Sequence, residues 1–102
     1  MAMKILVIGS GGREHAICAT LRRTSAVRAH LFCAPGNAGI AQIAECVPIK
    51  VEDQQGLLTF TKDKGIDLTI VGPEAPLASG LVDAFEDSDL RIVGPRSEAA
   101  RL

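Results

Sequence analysis

Three glycines, Gly9, Gly11 and Gly12, lead directly into Arg13, Glu14 and His15. Ser10 lies between the first two. Glycine lets a backbone come close to a ligand. Amides at the start of a helix, at the positive end of its dipole, attract anions. Arg13 adds a fork of donors that fits a phosphate. Glu14 has two readings, a first-turn acid favourable at any helix start or a ligand contact. His15 is either a buried imidazole bonded to a loop carbonyl or a ligand contact.

Two further stretches carry polar groups among turn formers. In Ala34-Pro35-Gly36-Asn37-Ala38-Gly39, Asn37 either occupies a left-handed turn position or aims its amide at a sugar hydroxyl. In Gly72-Pro73-Glu74-Ala75-Pro76-Leu77, Glu74 lies between two prolines. Pro73 and Pro76 stiffen the loop and lower the cost of presenting a carboxylate. Such an acid suits a sugar diol or an amine; the alternative is an exposed loop acid.

The elements around these loops follow from periodicity. Residues 4–8 are a short apolar run, the pattern of a buried parallel strand. A helix over 13–23 follows, with Ala16, Ile17, Ala19, Thr20 and Leu21 as its packing stripe. A strand is expected over 28–33, a helical turn over 40–44, and a weak edge strand over 45–49 carrying Pro48. Asp53 is placed as the N-cap of a helix over 54–64, closed by Gly65. A strand over 67–71, a helix over 76–86 and a strand over 90–93 complete the alternation. Ser97 is placed as the N-cap of one more helix.

This alternation predicts an α/β fold of three layers, a mostly parallel five-stranded sheet flanked by helices on both faces. The expected strand order is 3-2-1-4-5. The winding then reverses between strands one and four, and their following loops face one crevice at the carboxyl edge. Residues 9–15 and 72–77 should sit side by side there, flanked by 34–39.

Composition limits the function classes. The 102 residues fit one domain. With 47% hydrophobic but only 3% aromatic residues, the core must be built from Val, Ile, Leu and Ala. A net charge of −1 offers nothing to nucleic acid or to a membrane surface. No apolar run approaches the roughly 20 residues of a membrane span, and the start does not have the form of a signal peptide. A cytoplasmic location is expected. Cys18, Cys33 and Cys46 form no CxxC pair and read as reduced, mostly buried thiols. His15 and His30 are not at ligand spacing from them, so no metal site is expected.

A dinucleotide is the obvious ligand for a glycine turn, but Glu14 stands where the third glycine of GxGxxG belongs. No Asp or Glu occurs between Glu14 and Glu45 to hold a ribose diol at the end of strand two. Walker A is absent as well. A stand-alone nucleotide or sugar-phosphate binding module is the alternative reading. An oxidoreductase cofactor domain is the third.

Taken together, Gly9-Ser10-Gly11-Gly12-Arg13-Glu14-His15-Ala16, the 34–39 loop and Val71-Gly72-Pro73-Glu74-Ala75-Pro76-Leu77 resemble the amino-terminal domain of the phosphoribosylamine–glycine ligases. The resemblance covers essentially the whole chain, in order and spacing. It implies a Rossmann-like domain, residues 1–102, that precedes an ATP-grasp domain and supplies much of a 5-phosphoribosylamine site. By that carry-over the amides of Ser10 to Arg13 cradle the 5-phosphate, and Asn37 and Glu74 approach the ribose or its amine. Gly9, Glu14, His15 and Pro73 complete the candidate substrate-binding residues. The implied reaction joins glycine to phosphoribosylamine with ATP, in purine synthesis, by way of a glycyl phosphate. The resemblance assigns no cofactor to this chain. ATP and Mg2+ or Mn2+ would be held by the ATP-grasp and carboxyl-terminal domains, which lie outside it. The chain alone is therefore expected to lack ligase activity. Arg96 stands where the resemblance calls for Thr.

Overall fold

A computed structural model of the chain describes residues 3–24, 30–72 and 78–94. Five strands form one sheet: β1 (Lys4–Gly9), β2 (His30–Pro35), β3 (Glu45–Cys46), β4 (Leu68–Val71) and β5 (Ile92–Val93). Their order is β3-β2-β1-β4-β5, as the alternation of elements requires. Every pairing is parallel. Three helices accompany them: α1 (Gly12–Thr24), α2 (Gln54–Lys64) and α3 (Ala78–Asp87).

The alternation of side chains along β1 builds a core on each face of the sheet. Leu6 and Ile8 join Phe32 and Ala34 of β2, Leu57 of α2, and Leu81, Val82 and Phe85 of α3. Ile5 and Val7 point the other way, to Cys18 of α1, Leu31, Cys33 and Ile40. The middle of β1 is thus covered on both sides, which explains why residues 5–8 are solidly apolar rather than alternating.

Local chemistry sets the boundaries. The Asp53 side chain accepts a hydrogen bond from the Gly56 amide at 2.9 Å and caps α2. Gly65 ends that helix at φ 67°, in the left-handed region. Arg22 and Arg23 occupy the last turn of α1, where the dipole favours them.

Four expectations need correction. The stripe that α1 buries runs through Glu14, Ile17, Cys18 and Leu21, while Ala16 and Thr20 face solvent. β2 extends to Pro35, which pairs with Gly9; the following Gly36 amide donates to the Gly9 carbonyl at 3.0 Å, so the strand end tolerates proline. β3 is only two residues long because Val47 makes the last ladder bond, to Cys33 at 2.8 Å, and Pro48 has no N–H to continue it. β5 starts later than 90 because the Leu90 amide bonds to the Phe85 carbonyl at the end of α3, next to Asp89 at φ 61°. The helical turn expected over 40–44 is a 3-10 turn, Ile40–Gln42. The expected start of strand two at residue 28, the start of the third helix at 76 and the cap at Ser97 lie outside the described residues.

Candidate functional site

The glycine turn leaves the carboxyl end of β1, the middle strand of the sheet. On one side Ile8 pairs with Val71 of β4; on the other it pairs with Ala34 of β2, and Gly9 with Pro35. The turn and the loops after β2 and β4 therefore start from adjacent strand ends. This is the switch point, where doubly wound sheets bind ligands. Pro73 and Glu74 follow β4 directly but lie outside the described residues.

Inside the turn, Gly11 is the N-cap position of α1, since its carbonyl accepts from the His15 amide at 3.1 Å. Glu14, three residues on, folds back, and its Oε1 accepts from the Gly11 amide at 2.8 Å. That is one half of a capping box. Glu14 is only 7% exposed. Its side chain fills the space that a Cβ on Gly9 would occupy, and Gly9 itself has φ 142°. A side chain at Gly9 is thus excluded twice, by conformation and by contact. Of the cradle inferred from the resemblance, the Gly11 amide is already committed to a protein carboxylate.

Gly12 and Arg13 follow as the first two helical residues, both exposed. The Gly12 amide belongs to the first turn, at the positive end of the helix dipole. A Cβ placed on Gly12 would meet nothing within 4 Å, so the surface above it is open. His15 is exposed, contrary to the buried alternative, and its ring lies beside Gly39, with Cε1 3.8 Å from the ideal Cβ there.

Asn37 laces the flanking loop to the turn. Its Nδ2 donates to the Ser10 carbonyl at 2.6 Å, and its Oδ1 accepts from the Ile40 amide at 2.9 Å. Its φ is not positive; among the described non-glycine residues only Asp89 has a positive φ. Asn37 therefore neither serves a left-handed turn nor points its whole carboxamide at solvent. It fixes Ser10 and starts the 3-10 turn.

Two thiols support the same region, a role that residue types alone did not suggest. Cys33 Sγ lies 3.4 Å from the Gly9 carbonyl and also within hydrogen-bonding reach of Cys18. Its hydrogen bond with Cys18, then burial, push its pKa far above the ordinary thiol value, so it stays a neutral donor. Cys46, the register partner of Cys33 on β3, donates to the Asn37 carbonyl at 3.6 Å. All three cysteines are free thiols. Among the described residues, no group of three or more His, Cys, Asp or Glu is arranged to hold a metal ion. Nor is any described helix long and apolar enough to cross a membrane. An open groove of about 420 Å³ beside β3, lined by Arg22, His30 and Glu45 among others, involves none of the turn residues.

A parallel sheet with a glycine turn at its switch point defines a Rossmann-like α/β domain. Here that turn is closed underneath by a glutamate instead of a third glycine. Residues 3–102 match the family described as phosphoribosylglycinamide synthetase, N domain, and the chain belongs to that family. It is similar to a phosphoribosylamine–glycine ligase of Caldanaerobacter subterraneus subsp. tengcongensis, 53% identical over 100 residues, covering 98% of this chain and 24% of that one. A relative of the same name from Brucella melitensis is 50% identical over 100 residues, with 98% and 23% covered. One from Vibrio parahaemolyticus is 53% identical over 102 residues, with 98% and 24% covered. The chain spans about a quarter of the length of the curated relatives it matches.

Proposed function

We propose that this chain is the substrate-binding domain of a ligase that joins glycine to 5-phosphoribosylamine with hydrolysis of ATP to ADP and phosphate, in purine biosynthesis. The observation that carries the reading is the register of β1 with β4, which brings the glycine turn and the start of the Gly72 loop to adjacent strand ends. Family membership supports the same ligand.

In this reading the 5-phosphate sits over Gly12 and Arg13, on first-turn amides at the positive end of α1. His15 rims the phosphate from the side of Gly39. Pro73 and Glu74 bring a carboxylate to the ribose diol or the amine. Gly9, Ser10 and Gly11 shape the turn, and Asn37 holds Ser10 in place, so its contribution to the sugar is indirect.

We assign no catalytic acid or base to the chain. The amine of the sugar attacks a glycyl phosphate, and an acyl phosphate needs no nucleophilic side chain. The domain's share of the rate is orientation of the amine and neutralisation of phosphate charge. ATP with magnesium or manganese binds on other domains of the longer protein, in the cytoplasm, and glycine is activated there. The isolated chain accordingly releases no ADP in a glycine-dependent assay.

Calorimetric titration of the 102-residue chain tests the reading. Ribose 5-phosphate should bind and NAD should not. Saturable NAD binding without ribose 5-phosphate binding would instead make this a dinucleotide module; AMP binding alone would make it a nucleotide sensor.

A further inference from the structure

In a dinucleotide-binding turn the second glycine exists so that the backbone can approach the pyrophosphate. The equivalent residue in this turn is Gly11. Its amide is held by the carboxylate of Glu14 at 2.8 Å, and that carboxylate lies 3.2 Å from where a Cβ on Gly11 would be. The carboxylate is buried beneath the turn, with its stem filling the space under Gly9. It takes the place left by the third glycine, which in the dinucleotide turn serves close helix–strand packing. Two consequences follow. The one donor that would meet a second phosphoryl group is already satisfied. A fixed negative charge also faces any group that approaches it, in a partly dehydrated setting where like charges repel strongly. The first-turn amide of Gly12, beneath open surface, is left to receive a single phosphoryl group.

We propose that Glu14 is a specificity-determining residue: it restricts the turn to the terminal monophosphate of a sugar and rejects pyrophosphate-bridged ligands. This rests on the reading of the turn as the phosphate site and adds the discrimination between one phosphoryl group and two. Glu14 acts through the Gly11 amide and through its charge, not by touching the monophosphate.

The test uses ribose 5-phosphate and ADP-ribose as probes, titrated into the wild-type chain, Glu14→Gln and Glu14→Gly. Glu14→Gln keeps an acceptor for the Gly11 amide and removes the charge. Glu14→Gly completes the glycine pattern and removes both. The affinity for ADP-ribose should rise by about tenfold in Glu14→Gln relative to any change for ribose 5-phosphate, from removal of like-charge repulsion. It should rise further in Glu14→Gly. A urea unfolding curve on each protein checks the fold. A residue that only caps the helix would shift the unfolding midpoint and leave the ratio of the two affinities flat. An equal gain for both probes, no gain for ADP-ribose in the folded Glu14→Gln chain, or wild-type protein that binds ADP-ribose as tightly as ribose 5-phosphate would overturn the proposal. If ribose 5-phosphate fails to bind any of the three, the proposed function falls and the role of Glu14, which rests on it, falls with it; the other outcomes overturn the role of Glu14 alone.

Discussion

Cys33 carries a single proton that can serve either the Gly9 carbonyl or Cys18, and the fold keeps that proton in place. The consequence is a pH dependence of stability. In the unfolded chain a thiol titrates near 9.0; in the folded chain the hydrogen bond with Cys18 and burial hold Cys33 protonated well above that value. Above 9.0 the unfolded state therefore binds fewer protons than the native state, and stability must fall as pH rises. Cys18 is shifted down by its hydrogen bond with Cys33, so it favours the folded state as pH rises toward the ordinary value and adds nothing further beyond it. The chain has no tyrosine, which leaves the thiols as the main groups titrating just above that point. Urea unfolding should show a decline approaching roughly 1.4 kcal/mol per pH unit on the alkaline side. Cys33→Ala should flatten the slope, whatever it does to the plateau. A wild-type stability that stays level between about pH 9 and 10 would sink this account of the thiol.

Among the elements, the β1–α1 unit was the most legible and also concealed the main surprise. An apolar run closed by glycines can only be a buried strand entering a tight turn, and the structure has both. The alternation of types then determined the sheet order. What residue types did not reveal was the fate of Glu14. A charged residue in the first turn reads as solvated, yet positions 14, 17, 18 and 21 follow the i, i+3, i+4, i+7 spacing of one helix face. Counting Glu14 into that stripe, in place of Ala16 and Thr20, would have predicted its burial. Asn37 gave no comparable signal, because its partner Ser10 is 27 residues away and only the register of β1 with β2 brings them together. The same unit supports a prediction about Gly12. It is the first residue of α1, and a Cβ there meets nothing within 4 Å, so glycine is not required for packing. Gly12→Ala should raise stability by about 0.5–1 kcal/mol through helix propensity and the unfolded-state entropy. If the phosphate rests on this amide, the methyl group should weaken ribose 5-phosphate binding by at least tenfold, or about 1.4 kcal/mol. One sample, titrated and then unfolded, gives both numbers. A loss of stability would mean that Gly12 packs against something; unchanged binding would move the phosphate elsewhere.

At the scale of the whole molecule, the sheet divides the apolar residues into two cores, and they are not equivalent. The α1 face is built of small and medium side chains around three cysteines. The α2–α3 face holds the large ones, Phe32, Phe85, Leu57 and Leu81. Thr69 of β4 is flanked by a strand on each side, its neighbours in register being Leu6 of β1 and Ile92 of β5, which both belong to the α2–α3 face. Thr69 is fully buried, and among the described residues its Oγ1 is the buried side-chain polar atom that has no hydrogen-bond partner. A buried hydroxyl without a partner costs its desolvation and returns nothing. Valine has nearly the same shape, favours strands and exposes no polar atom to the core. Thr69→Val should therefore stabilise the fold by about 1 kcal/mol, which for a domain of this size corresponds to a rise in Tm of roughly 4–8 °C. The substitution is remote from the glycine turn, so ribose 5-phosphate affinity should not move. Calorimetric melting of the two proteins side by side decides it: a lower Tm for Thr69→Val would mean that the hydroxyl is bonded in solution, and that the larger core is more polar than its geometry indicates.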